Sequence, residues 1–448
     1  MAEVNRARLR ELRAAEEQRF LDEHPRSRAL FERAKATLVG GVPMNWMQRW
    51  PGGVPIFVEE ASGAHFVDVD GHGYVDFCLG DTGAMTGHSP VATTDAIARQ
   101  ARRGITTMLP TEDAIVVGEQ LRERFGLPFW QIAMTATDAN RFVIRLARHA
   151  TGRSKILVFN WCYHGTVDET LGILVDGAVR SRPGDIGPPI DPAVTTKIVE
   201  FNDLDALEAA LTPGDVACVL AEPALTNIGI VAPDPGYHDA LREITRRTGT
   251  LLVIDETHTI CVGPGGATRA WGLDPDFFVI GKPIAGGMPA AAFGMTAELA
   301  TRLSGALGAG ETDVSGIGGT LTGNALALAA IRATLASTLL ADDYARMIPL
   351  AQRWADGVRD AFTAFDLPWS VNQLGARAEY WFSPSPRNGA QAAAAVDEEL
   401  DSFMHLWALN RRILLTPFHN MALMSPATTA ADVDAHSTVF RDAVAALV

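Results

Sequence analysis

The chain has 448 residues, and 38 Lys and Arg against 53 Asp and Glu leave a formal charge of −15. That length predicts roughly two or three domains' worth of chain. A hydrophobic fraction of 47% with 20% charged residues excludes a largely disordered chain, and the acidic balance without a basic cluster excludes nucleic acid as the main partner.

Residues 1–24 are dense in Arg and Glu, lack the apolar core of a signal peptide, and are predicted as an amphipathic helix. Gly40, Gly41 and Pro43 end that pattern and open an irregular segment through Trp46, Met47, Gln48, Arg49 and Trp50. From His65 to Phe77 the chain alternates as a hairpin that turns at Asp70-Gly71. Beyond about Pro90, short apolar runs alternate with helical periods. The runs are IAM (132–134), KILVF (155–159), VACVL (216–220), LLVI (251–254) and FFVI (277–280). Ala139, Phe142, Val143, Leu146, Ala147 and Ala150 form a helical stripe, and a helix from Tyr237 to Thr248 is expected to stop at Gly249. Strands that are apolar throughout and alternate with helices predict an α/β fold with a mainly parallel sheet covered on both faces. Residues 325–340, 348–365, 390–395 and 432–448 read as helices. The expected organisation is an N-terminal segment of a small domain (1–89), a large α/β domain (90–330), and the C-terminal part of the small domain (331–448).

Cys78, Cys162, Cys218 and Cys261 show no CxxC or Cys/His ligand spacing, so no disulfide framework or metal site is expected, and a reducing cytoplasm is the expected compartment. No segment approaches the roughly 20 apolar residues of a membrane span, so no membrane partner is expected. Lysine is scarce: only Lys35, Lys155, Lys197 and Lys282 could carry lysine chemistry.

Functional side chains in a parallel sheet collect just past the carboxyl ends of the strands. There LLVI delivers Asp255-Glu256-Thr257-His258, and FFVI delivers Gly281-Lys282-Pro283. A lysine at that depth needs a partner or a covalent use; a Schiff base with an aldehyde cofactor, with an aspartate holding a pyridinium nitrogen, is one resolution, and an ion pair at the sheet edge is the other. Met134-Thr135-Ala136-Thr137-Asp138-Ala139-Asn140 joins a strand to a helix expected from about Asp138, where Thr137 would cap the helix and donate to a phosphate. Asn160-Trp161-Cys162-Tyr163-His164-Gly165 supplies an aromatic face for a heterocycle, or an ordinary core tyrosine.

The ordered series MTATDAN, WCYHG, AEPALTNIGIVAPDPGY, VIDETHT, VIGKPIAGGMPAAAFG and GGTLTGNALALAA resembles the class III, subgroup II, fold type I aminotransferases that use pyridoxal 5'-phosphate. The resemblance runs from Gly40 to the C-terminal helix. It implies a seven-stranded, mainly parallel large domain flanked by helices, a small α+β domain from both termini, and a homodimer with active sites at the subunit interface. By the same resemblance Lys282 would bind the cofactor aldehyde and move the substrate proton, Asp255 would hold the pyridine nitrogen, and Tyr163 would stack on the ring beside His164. Ala136 and Thr137 would hold the phosphate, Thr320 would reach the phosphate of the neighbouring subunit, and Glu222 would organise the pocket. This sequence departs from the pattern where Ala136 replaces a glycine, and where Thr257-His258 replaces a valine followed by Gln or Met. His258 would approach the ring hydroxyl.

In motif style the nearest subfamilies are glutamate-1-semialdehyde aminomutases and β-amino-acid or amine transaminases. Met47 replaces the carboxylate-binding arginine of the aminomutase segment, and Asn420 replaces the glutamate of its C-terminal segment. A substrate carboxylate therefore directs attention to Arg49 and Arg377, with Trp46, Met47, Trp50, Asp81, Thr82, Ala84 and Met85 as pocket residues. The implied activity is an aminotransferase that passes an amino group from an amine or amino acid donor to a keto-acid acceptor in two half-reactions. A pyridoxal phosphate aminomutase or racemase is the alternative, and a non-catalytic scaffold of the same fold is a third.

Overall fold

Val216–Ala221 is buried along its whole length, as a strand covered on both faces must be. It is an interior strand of the seven-stranded sheet of a computed structural model that describes residues 4–307 and 316–448. The strand order is Phe129–Ala133, Ala291–Met295, Phe277–Ile280, Leu251–Asp255, Val216–Ala221, Lys155–Phe159 and Thr196–Val199. Ala291–Met295 runs antiparallel to both neighbours, and the remaining pairs are parallel. The α/β class with a mainly parallel seven-stranded sheet is therefore present. The five apolar runs of the sequence all fall in it, except Met134, which follows the end of the strand Phe129–Ala133. Thr196–Val199, with Lys197 in four residues, and Ala291–Met295, rich in Ala and Gly, carry too weak an apolar signal to be read as strands.

The helix Ala136–Thr151 packs Ala139, Phe142, Val143, Ile144, Leu146 and Ala147 inward, and ends at Gly152 with φ 68°. The helix Tyr237–Thr248 stops at Gly249, whose φ of 64° is the left-handed closure that glycine adopts without a steric cost. The chain divides into two compact units. Val91–Ala341 with Pro386–Ala394 makes the central one, and Met1–Pro90, Asp342–Ser385 and Ala395–Val448 make the terminal one.

In the terminal unit the hairpin strands His65–Asp68 and Gly73–Asp76 pair antiparallel around Asp70-Gly71. The opening stretch forms two helices rather than one, Arg6–Glu23 and Pro25–Ala34, because Pro25 starts a new first turn. Phe20, Val54, Phe66, Tyr74, Leu406 and Leu409 pack together as a core drawn from both ends of the chain, each large apolar side chain contributing about 1.5–3 kcal/mol. The helix expected from residue 348 begins about two turns earlier, as Ala341–Ala364, with Pro349 inside it. The four cysteines are buried thiols that form no disulfide. Among the described residues no single helix is long and apolar enough to cross a membrane.

Candidate active site

The carboxyl ends of five strands of the central unit, with the loops that follow them, carry the predicted cofactor residues other than Thr320. Asp255 is the last residue of its strand and is buried. Its Oδ2 accepts from Asn140 Nδ2 (2.8 Å) and His164 Nδ1 (2.9 Å), and its Oδ1 accepts from the Thr257 N–H (3.1 Å). Burial alone would raise the Asp255 pKa; the hydrogen bonds and charge of His164, then Thr257 and Asn140, outweigh it and hold the carboxyl at about 2. Burial opposes charging of His164 too, but Cys162 and the Asp255 carboxylate raise its pKa well above the ordinary histidine value. The result is an ionised carboxylate whose position is fixed by three donors. Asn140 was not assigned a role from sequence. Its only signal was a polar residue inside the apolar stripe of its helix, and its partner lies 115 positions away.

Lys282 follows the neighbouring strand Phe277–Ile280, which pairs with the Asp255 strand in parallel register. Its φ of 49° is left-handed, a conformation that costs a non-glycine residue of order 1 kcal/mol and is retained where the surroundings dictate it. Its Nζ lies 2.8 Å from His258 Nε2. His258, expected to face a ring hydroxyl, is thus a neighbour of the lysine itself.

The phosphate segment is built differently from the sequence expectation. Thr135, not Thr137, caps the helix, which begins at Ala136: Thr135 Oγ1 accepts from the Asp138 N–H (3.2 Å) and its carbonyl from the Ala139 N–H (3.0 Å). The N–H groups of Ala136 and Thr137, at the first two helical positions, have no acceptor within the helix and lie at the positive end of its dipole. Thr137 Oγ1 instead accepts from the Thr166 N–H (3.2 Å). Gly281 packs against this first turn so closely that a β-carbon on it would lie 3.0 Å from the Ala136 methyl and 3.2 Å from the Ala136 nitrogen. The methyl that replaces the usual glycine is accommodated by Gly281.

Tyr163 is half-buried beside the buried His164. Glu222, directly after Val216–Ala221, is buried and accepts from Thr226 Oγ1. Thr320 is exposed on this single chain. A lysine, an ionised aspartate pinned by His164 and Asn140, and a helix N-terminus with two open amides fit the aldehyde, ring nitrogen and phosphate of pyridoxal phosphate.

The substrate candidates belong to the terminal unit. Met85 is buried, Trp46 sits in the short helix Asn45–Gln48 with its ring edge-to-face on Phe418 at 5.8 Å, and Arg49 is exposed. Leu79, Asp81 and Thr82 all have left-handed φ values, 45°, 50° and 79°. Arg377 has another occupation than a substrate carboxylate: it is fully buried and donates to Glu379 Oε2 (2.8 Å), whose other oxygen lies 3.2 Å from His419 Nδ1. Asn420 donates to Asp401 (2.7 Å). His24, Asp68 and His72 gather ligand-type atoms within 4.8 Å, and Tyr74 OH lies 2.7 Å from His24 Nε2 and 3.0 Å from Asp68 Oδ2.

The model of the class-III aminotransferase family matches residues 46–352. The chain is 35% identical to a glutamate-1-semialdehyde 2,1-aminomutase of Chloroflexus aggregans, over 95% of this chain and 99% of that protein. It is 50% identical to a solved glutamate-1-semialdehyde aminomutase of Pseudomonas aeruginosa PAO1, with a TM-score of 0.97 over 99% of this chain and 100% of that one; one such structure is a complex with PMP. A β-phenylalanine aminotransferase of Variovorax paradoxus is 27% identical with a TM-score of 0.85, over 97% of each chain. With this likeness running across the strands and loops that carry Asp255 and Lys282, the chain belongs to the class III, fold type I aminotransferase family, whose cofactor is pyridoxal phosphate.

Proposed function

We propose that the protein is a pyridoxal phosphate-dependent aminomutase of the glutamate-1-semialdehyde type, which shifts an amino group between adjacent carbons of one substrate without a separate keto-acid acceptor. The carrying observation is the 50% identity over nearly the full chain to a solved aminomutase, against 27% to the β-phenylalanine aminotransferase. The cofactor supplies an electron sink for the pair left when a carbon loses its proton.

The chain's own residues do the rest. Lys282 Nζ takes the proton from one carbon and returns it to another. Asp255, kept ionised by His164 and Asn140, accepts the hydrogen bond of a ring nitrogen and keeps that nitrogen protonated. The open amides of Ala136 and Thr137 hold the phosphate, Tyr163 covers the ring, and Glu222, fixed by Thr226, borders the pocket. Thr320, exposed on one chain, serves the site of a second copy, so the working form is a homodimer. Arg49 is the remaining arginine for a substrate carboxylate, with Trp46, Asp81 and Met85 as pocket residues.

Intermolecular amino transfer to a keto acid is the second reading, favoured by Met47 and Asn420 at two positions where the aminomutase pattern has charged residues. The two separate in one assay. Cofactor-loaded enzyme given glutamate 1-semialdehyde alone is expected to form 5-aminolevulinate catalytically. Turnover that appears only when pyruvate or 2-oxoglutarate is added with an amine donor would replace the aminomutase reading by the transaminase one.

A further inference from the structure

His258 stands where the family resemblance leads one to expect Gln or Met, side chains that hydrogen-bond or pack but do not carry a proton near neutrality. Its Nε2 is 2.8 Å from Lys282 Nζ, hydrogen-bonding distance. The contact is braced from both sides. The Glu256 N–H donates to the Val279 carbonyl (2.8 Å), tying the start of the His258 turn to the strand that leads to Lys282. The buried Glu256 carboxylate accepts from Thr259 Oγ1 (2.6 Å), the Ala267 N–H (3.1 Å) and the Thr268 N–H, so the residues flanking His258 are anchored in the interior. Lys282 meets this fixed imidazole from a left-handed backbone at φ 49°. The two carboxyls that precede this turn have donors of their own: Asp255 is held by His164, Asn140 and the Thr257 N–H, and Glu256 by Thr259, Ala267 and Thr268.

An ammonium and a neutral imidazole at this separation share one proton, and imidazole is the side chain whose ordinary pKa lets it accept and release a proton near pH 7. We propose that His258 is the proton relay of Lys282: after Lys282 Nζ has taken a proton, Nε2 accepts one from it, leaving an uncharged amine, and the half-buried imidazolium exchanges its proton with solvent. The N–H bond at Nζ breaks as the N–H bond at Nε2 forms, and no electrons change hands. The return path recharges Nζ. His258 acts through Lys282, and the inference rests on Lys282 being the proton carrier of the proposed reaction.

The test has two arms, both comparing wild type with His258→Gln, which keeps a hydrogen-bonding group of similar reach but cannot carry the proton. In the first, full-length cofactor-free protein is treated with limiting acetic anhydride and mapped by mass spectrometry. Lys35, Lys155 and Lys197, paired with Glu32, Asp215 and Asp215, serve as internal standards. Acetylation of Lys282 relative to these three is expected to fall several-fold in His258→Gln; an unchanged ratio overturns the relay. In the second, the cofactor-loaded enzyme is given substrate deuterated at the carbon that loses its proton. Product formed by His258→Gln is expected to retain several-fold more deuterium than wild-type product, because Nζ no longer shares its protons with solvent through Nε2; equal retention overturns the relay. An enzyme that removes no deuterium from glutamate 1-semialdehyde refutes the assigned reaction, while the acetylation ratio still decides the role of His258.

Discussion

Asp255 shows how much chemistry one residue can draw from its neighbours. A buried carboxyl ought to hold its proton, yet His164, Thr257 and Asn140 keep this one ionised at about 2. Asp255→Asn removes the charge while keeping the shape, and is expected to lower kcat/KM on the order of 100-fold or more, with a smaller change in protein stability; steady-state kinetics beside denaturant unfolding checks both. The residue pair Lys282 and Asp255 was legible in the sequence because each follows an apolar run, and strand ends place such residues together. Asn140 was not, since a buried asparagine is identified by its partner and that partner is remote in the chain. Arg377 is a different case: Glu379, two positions on, shares its face of the strand Arg377–Trp381, so the pair is local, and it is the burial of that face that turns the arginine toward Glu379.

At the scale of elements, the apolar stripe predicts the helix Ala136–Thr151, but its cap is Thr135, two positions before the Thr137 that the sequence suggests. Two threonines two apart both suit a cap, and only the backbone decides that Thr135 has the extended φ of −141° a cap requires. The loop WCYHG is packed onto that first turn. Gly165 has φ 83°, and a β-carbon there would overlap the Thr137 hydroxyl at 2.0 Å. Gly165→Ala is therefore expected to displace Thr137 and weaken cofactor binding at least about tenfold, which corresponds to about 1.4 kcal/mol, while the chain still folds; cofactor titration followed by absorbance measures it. In the terminal unit, the helix Glu398–Leu409 carries Asp401, whose carboxyl burial pushes up to about 6 despite the amide of Asn420, with the nearby acids Asp397 and Glu379 adding to the rise. A carboxyl raised in the folded state favours folding below its unfolded pKa and loses that advantage as pH rises through about 6. Asp401→Asn is accordingly expected to stabilise the protein by about 2 kcal/mol at pH 8 and to give no gain near pH 4, read from urea midpoints at the two pH values.

For the whole molecule, the alternation of apolar runs and helical periods was enough to give a parallel α/β sheet, and the motif order gave the family. The roles proposed for Trp46, Arg49, Asp81 and Met85 are less legible, because irregular segments have neither the strand nor the helix period from which a side chain's neighbours can be read. Thr320 belongs to this scale also. It is exposed on one chain, so its proposed contact with a phosphate requires a second copy. Thr320→Ala is expected to weaken cofactor binding several-fold in a protein that sediments as a dimer; a monomer that binds the cofactor with full affinity would contradict that assignment.

The central claim is that one lysine of four holds the cofactor. Borohydride reduction of the cofactor-loaded protein, followed by peptide mapping, tests it most directly. The account predicts the phosphopyridoxyl group on Lys282 alone, and none in Lys282→Ala. A stable label on Lys35, Lys155 or Lys197 in place of Lys282, or a wild-type protein that takes no label when saturated with pyridoxal phosphate, would contradict it.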